Sequence, residues 1–221
     1  MGNIVNLRLY YAPSMDTQHR KQLFSSYRAL QKQAQMLNNQ IHALEQYPCV
    51  NEQALEALKQ VLFPLNTQIR NLEEQLYKPS QDPDYEEKVA HGSSVIGIGK
   101  KTAHAILLAT NGLKDFDSAA AVAKCLGITP ESHRSGTSIH HKGGMTKLGS
   151  NSVRALLYMC TRSAIQYNLA CQALYQRMRA KGKPHKVAAV AVMHKLVKQF
   201  YACVKFKRQF DNEYHLTKNT E

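Results

Sequence analysis

Residues 23–44 read LFSSYRALQKQAQMLNNQIHAL and residues 55–76 read LEALKQVLFPLNTQIRNLEEQL. In the first run Leu23, Tyr27, Leu30, Ala34, Leu37, Ile41 and Leu44 recur at alternating spacings of four and three. Leu55, Leu58, Leu62, Leu65, Ile69, Leu72 and Leu76 continue the alternation in the second. A narrow seam of a and d positions marks a coiled coil rather than the broad apolar face of a globular helix. The runs are separated by a break at 46–48, so two helices are expected. Pro64 is expected to kink or locally open the second. The pattern is compatible with an antiparallel hairpin, with pairing to a second copy, or with both. It predicts a coiled-coil arm over 17–78, a spacer or dimerisation element, preceded by a disordered or residual segment at 1–16.

Beyond the arm the punctuation changes. KPSQDP at 78–83 is a linker with two prolines, and it ends the arm. A short acidic helix is expected over 84–91. VIGIGKKTA at 95–103 follows and runs into the apolar Ile106, Leu107 and Leu108. Helix, h-G-h-G turn and helix together make the pattern of a helix-hairpin-helix. Gly97 and Gly99 let backbone N–H groups approach a phosphate at the start of the second helix, where the dipole favours an anion. Lys100 and Lys101 add charge there, and Thr102 completes the candidate DNA-binding set. A dinucleotide fingerprint is the weaker alternative, because Thr102 takes the place of its third glycine and no strand pattern precedes. A tight turn with no ligand is the bland one.

A second short helix is expected over 118–126, then a loop from 127 to 151 rich in Ser, Gly, His and basic residues. A loop this long inside a compact domain is usually functional or disordered. Ser150 or Asn151 should cap a long helix whose apolar side includes Val153, Leu156, Leu157, Cys160, Ala164, Tyr167 and Cys171. A break at 181–184 leads to a last helix over 184–207. The expected fold is therefore all-α: the arm, a compact helical domain over 84–210 and a tail at 211–221.

Charge narrows the partners. The chain of 221 residues has a formal charge of +13, yet residues 1–90 carry nine Lys/Arg against ten Asp/Glu. From 132 to 210 there are fifteen Lys/Arg and no Asp or Glu. Such a segment repels itself, and a polyanion relieves the repulsion; each neutralised phosphate also releases counterions. The footprint is that of a nucleic-acid binder. A basic peripheral membrane or scaffold protein is disfavoured because the apolar faces are needed for a core, so no membrane partner is expected. The five cysteines form no C-x-x-C pair and fit a reduced, cytoplasmic setting, not a disulfide framework or zinc site. No signal peptide is visible, and the longest apolar run, 187–193, is too short to span a bilayer.

Five stretches in order carry a resemblance: VIGIGKKTA, FDSAAAVAKCLGITP, RSGT, GGMTKLGSNSVRALLY and YQRMRAKGKPHKVAAVAV. Together, over roughly 92–206, they are similar to the carboxy-terminal domain of IS-one-ten type insertion-sequence transposases, the pilin-invertase-like or bridge-RNA-guided recombinases. The coiled coil resembles the arm those proteins carry. The resemblance implies that Ser135, before Gly136, is a nucleophile on a DNA phosphodiester, an exchange that conserves bond energy and allows rejoining. Arg134, Lys142, Lys147 and Arg154 are then phosphate-binding candidates. His133, His140 and His141 are read as solvated loop histidines, so no metal site is expected in this chain.

The family also has an amino-terminal RuvC-like domain with four acidic metal ligands, which nothing in residues 1–20 resembles. The chain is therefore expected to be a truncated or split transposase, unable to transpose DNA alone, with magnesium entering only through the acidic domain. Expected partners are DNA, a guide RNA, a second copy through the coiled coil, and an intact transposase. The alternative is a non-enzymatic DNA- or RNA-binding helix-hairpin-helix regulator. Ile96 stands where the family often has proline, and Thr137 where it often has a second glycine.

Overall fold

The computed structural model describes residues 14–80, 82–135, 139–145 and 149–214, with side chains described outside 130–148. Helix α1 (Met15–Glu45) begins where the Ser14 hydroxyl accepts the Thr17 N–H at 3.3 Å. Helix α2 (Glu52–Tyr77) begins where the Asn51 side chain accepts the Ala54 N–H at 3.1 Å. Both are side-chain N-caps satisfying donors that the helix itself cannot.

The two helices fold back on each other within one chain. Tyr27, Ala34 and Ile41 are buried one heptad apart, and Leu55, Leu58, Leu62, Leu65, Ile69 and Leu72 lie half-buried opposite. Of the arrangements the heptads allow, the hairpin is thus present. Contrary to the expected local opening, α2 continues through Pro64 as one helix. Pro64 lies on the exposed face, where water can take the hydrogen bonds that its ring removes.

The base of the arm is docked on the domain. Leu76 is fully buried in a small cluster with Tyr27 and with Leu108 of α4 (Lys100–Ala109). Arg20 closes this joint. Its guanidinium donates to the carbonyls of Leu76 at 3.0 Å and Lys78 at 3.2 Å, capping the end of α2, and its Nε donates to Asp16 at 3.0 Å. It also lies 5.3 Å from the ring centroid of Tyr85, which belongs to α3 (Pro83–Ser93). Pro83 takes the first helical position of α3, where its missing N–H costs nothing, and Asp82 accepts the Asp84 N–H.

After α4, Ser118 caps α5 (Ala119–Cys125). A ribbon of β1 (Pro130–Ser135) and β2 (Ile139–Met145) follows, then α6 (Asn151–Tyr167), α7 (Leu169–Ala180) and α8 (His185–Lys205). Helix α8 is the core element, touching α3, α5, α6 and α7. Ala188, Val192, Met193, Leu196, Val197 and Phe200 are all buried along it. By length and composition α8 could cross a bilayer, but here its apolar surface is covered by four other helices.

The helical fold class holds, with two local departures from expectation. The stretch 130–145, read as loop, forms an antiparallel ribbon that pairs His133 with His141, Arg134 with His140 and Ser135 with Ile139. Apart from Pro130, Ile139 and Met145 its residues are polar or glycine, so the sequence carries no period-two alternation to betray it. The long helix expected to reach Cys171 breaks at Asn168, whose backbone is extended. The completely buried Asn168 side chain explains the break. It accepts the Cys171 N–H at 3.2 Å, starting α7, and donates to the Ile96 carbonyl at 3.1 Å and to Gln199 at 3.0 Å.

Candidate nucleic-acid interface

The turn between α3 and α4 is built from its apolar residues. Val95 and Ile98 are buried, and the Ile98 N–H donates to the Val95 carbonyl at 2.8 Å. Between them Gly97 has φ +104°, a region that side-chain-bearing residues avoid. A Cβ there would also sit 2.8 Å from the Ala164 Cβ of α6. Gly97 therefore lets α6 cross directly over the turn, while Asn168 holds the Ile96 carbonyl from the same side.

The five candidate residues of this segment separate into three environments. Gly99, the N-cap of α4, and Lys100 are exposed, and no atom lies within 4 Å of where a Gly99 Cβ would be. Gly97 and Thr102 are packing residues: Thr102 is buried with its hydroxyl 3.3 Å from the Cys160 sulfur. Burial pushes the Cys160 thiol up in spite of hydrogen bonds from Thr102 and the Gly99 backbone. Lys101 turns toward the arm, ion-paired with Glu73 and 5.8 Å from the Tyr77 ring centroid. The structure thus brings Gly99 and Lys100 to an open helix start and assigns Lys101 to the arm joint.

That joint orients α4. The Tyr85 hydroxyl is 2.9 Å from His104 Nδ1, and the His104 ring is 5.2 Å from that of Tyr77. Burial drives the His104 pKa down to about 4, so the imidazole is neutral at physiological pH. Desolvation likewise raises the Tyr85 hydroxyl well above its ordinary value.

Ser135 is the last residue of β1, next to the tip that joins the two strands. Arg134 and Lys142 are ribbon positions whose side chains fall outside the description, and Lys147 lies outside the described residues altogether, as does Thr137. The chain leaves the ribbon through Gly149, with φ +87° and a would-be Cβ 2.3 Å from the Cys125 carbonyl oxygen. Only glycine allows this approach to the end of α5. Arg154 secures the same corner, donating to the Gly149 carbonyl and the Asn151 side chain, both at 3.3 Å. Among the described residues no three His, Cys, Asp or Glu side chains are grouped for a metal.

The basic surface extends past these candidates. Arg162 on α6 and Arg177, Arg179, Lys181, Lys183 and Lys186 around the α7–α8 turn are exposed and form no ion pair with a described acidic residue. Within this acid-free segment Lys207 is ion-paired with Glu87 at 2.8 Å. Individual residues of the α7–α8 turn were not candidates from sequence, although RMRAKGKPHK already carried the signal as a run of bases around a Gly-Pro break.

The model of the transposase IS116/IS110/IS902 family matches residues 93–176, from the turn before α4 into α7. Over these residues the chain is similar to that transposase family. The matched region holds the turn, the ribbon and Arg154, whereas the arm and all of α8 lie outside it. The pilin gene-inverting protein of Moraxella bovis is 32% identical over 134 residues, covering 60% of this chain and 42% of the relative. The pilin gene-inverting protein of Moraxella lacunata is 33% identical over 124 residues, 56% of this chain and 38% of the relative. An insertion element IS110 protein of 43.6 kDa from Streptomyces coelicolor is 26% identical over 113 residues, 51% of this chain and 28% of its own length. The chain thus spans about two fifths of the pilin gene-inverting relatives.

Proposed function

We propose that this chain is a DNA-binding part of a transposase or recombinase, working in the cytoplasm, that holds a phosphodiester for strand exchange at Ser135. The observation that carries the reading is the exposed, acid-free cation surface of α6 to α8, which only a polyanion neutralises. The transposase match selects DNA as that polyanion, and two relatives are named for inverting a gene.

In this reading α3, the turn and α4 act as a helix-hairpin-helix. Gly99 and Lys100 receive a backbone phosphate at the start of α4, while Gly97 and Thr102 shape the turn and Lys101 fixes it to the arm. Arg134, Lys142, Lys147 and Arg154 clamp phosphates around the ribbon. The Ser135 hydroxyl loses its proton and attacks phosphorus. The new Oγ–P bond replaces the bond to a deoxyribose oxygen, which leaves and takes up a proton. The serine phosphodiester keeps the bond energy, so the reverse attack rejoins a strand.

The described residues do not fit a magnesium centre, and stabilisation of the phosphate within them falls to the cations. The family likeness supports the remaining partners: an acidic metal-binding domain, a guide RNA, and a second copy or an intact transposase engaged through the arm.

The test is covalent trapping of labelled duplex DNA by the full chain, supplied with an acidic RuvC-like domain. Wild type should give an adduct stable to denaturation, and Ser135→Ala should bind with unchanged affinity and give none. Binding without an adduct from either protein would leave the non-enzymatic regulator as the better reading. Absence of binding to both duplex and single-stranded DNA would refute the DNA assignment itself.

A further inference from the structure

Beyond the matched transposase region, the last turns of α8 and the chain that follows enclose a groove of about 460 Å³. One wall is a face of α8 bearing Lys195 and Lys198; the other is the returning chain, with Phe206, Arg208, Phe210 and Tyr214. This second wall is anchored at several points. The Asn212 side chain accepts the Leu169 N–H at 3.0 Å and donates to the Tyr167 carbonyl at 3.2 Å. The Phe210 N–H donates to the Ser94 hydroxyl at 2.9 Å. The groove is therefore a fixed shape built on the α6–α7 break.

Its lining combines two chemistries. Phe206 and Tyr214 are 62% and 51% exposed, so aromatic surface is left to solvent. The Arg208 guanidinium lies 5.2 Å from the Phe206 ring centroid. Neither Lys195, Lys198 nor Arg208 forms an ion pair with a described acidic residue. The one acidic lining residue, Asp211, uses a carboxylate oxygen to accept the Glu213 N–H at 2.8 Å. Exposed rings interleaved with unpaired cations match a strand whose bases are free to stack and whose phosphates lie alongside. A duplex keeps its base faces covered and offers only the phosphates. An apolar partner helix would use the rings but leave three cations without counter-charge.

We propose that this groove holds an unpaired segment of a DNA strand, a base stacking on Phe206 or Tyr214 and its phosphates lying against Lys195, Lys198 and Arg208. The inference rests on the reading of the chain as a DNA-handling protein. It adds a place for a strand that has left its duplex, as strand exchange requires.

The experiment measures fluorescence anisotropy of the full chain with a short single-stranded DNA, the matching duplex and the matching RNA. Phe206 is exposed, so Phe206→Ala removes stacking without emptying the core. The expected result is a loss of single-strand affinity of about 5- to 150-fold in Phe206→Ala, the range of one lost base stack. Duplex affinity should change less than about twofold, since phosphate contacts dominate it. Single-strand affinity unchanged in Phe206→Ala, with duplex binding intact, overturns the groove proposal and leaves the DNA reading standing. No duplex binding in wild type, with a single-strand affinity sensitive to Phe206→Ala, overturns the duplex part of that reading and supports the groove. RNA bound more than about tenfold tighter than DNA through the same residue overturns the choice of strand. Self-association lost in Phe206→Glu, with oligonucleotide binding unaffected, overturns it in favour of a second copy of the chain.

Discussion

Arg20 and Leu76 meet across 56 residues of chain, the guanidinium Nη1 donating at 3.0 Å to the last buried carbonyl of α2. The contact closes the base of the arm, tying the start of α1 to the end of α2 where Leu76 packs on Leu108 of the domain. Arg20→Met keeps much of the side-chain volume but leaves the Leu76 carbonyl, itself enclosed by the joint, without a donor. The expected loss is about 3 kcal/mol of unfolding free energy, read from urea denaturation. A loss below about 0.5 kcal/mol would show that the clasp is incidental.

The two glycines of the turn should behave oppositely. Gly97→Ala forces a Cβ into a left-handed backbone and against Ala164, and we expect a cost of about 2–4 kcal/mol. Gly99→Ala meets open space at φ −83° and should cost under about 1 kcal/mol, the difference between a glycine and an alanine N-cap. Equal melting temperatures for the two variants would contradict the crossing of α6 over the turn.

His104 gives the fold an acid sensitivity of determinate sign. Its pKa lies near 4 in the folded protein against 6.5 in the unfolded chain, so between those values the unfolded state binds more protons. Stability from this group is fully present above pH 6.5 and falls as pH drops toward 4, by up to about 3 kcal/mol. His104→Gln should flatten the stability profile over that window, which denaturant titrations at several pH values would record. An unchanged slope would mean that His104 protonates freely.

Lys100 and Lys101 are adjacent in sequence but are expected to differ in binding. Lys100→Ala should reduce the slope of log affinity for duplex DNA against log salt by about one phosphate contact. Lys101→Ala should leave that slope unchanged and cost under about 1 kcal/mol of stability, as expected for a half-exposed ion pair. The reverse ranking would place the phosphate at the arm joint instead of the open end of α4.

What could be read from sequence follows from the range of each interaction. The arm was legible because Tyr27, Ala34, Ile41 and their partners repeat one local period, and the hairpin buries just that seam. The h-G-h-G turn was legible as a turn, but its glycines were indistinguishable until Ala164 took its place beside Gly97. Asn168 ends α6 because of Ile96 and Gln199, which lie 72 and 31 residues away, and helix periodicity registers neither. The ribbon around Ser135 escaped notice because its sequence, mostly polar residues and glycine, does not alternate. The proposed phosphate-binding set was legible as charge, while the different surroundings of Lys100 and Lys101 depend on where the arm docks.

That docking turns the arm into a ruler. Helix α2 has 26 residues, about 39 Å at 1.5 Å per residue, and the packing of Leu76 against Leu108 fixes its zero mark on the domain. Whatever binds at the far end around 46–50 is held at a set distance from α4. Excising one heptad from each helix at matched levels would shorten this reach by about 10 Å while leaving the seam in phase. The spacing between two points on a bound substrate could thus be graduated in whole heptads, without altering a residue of the basic surface.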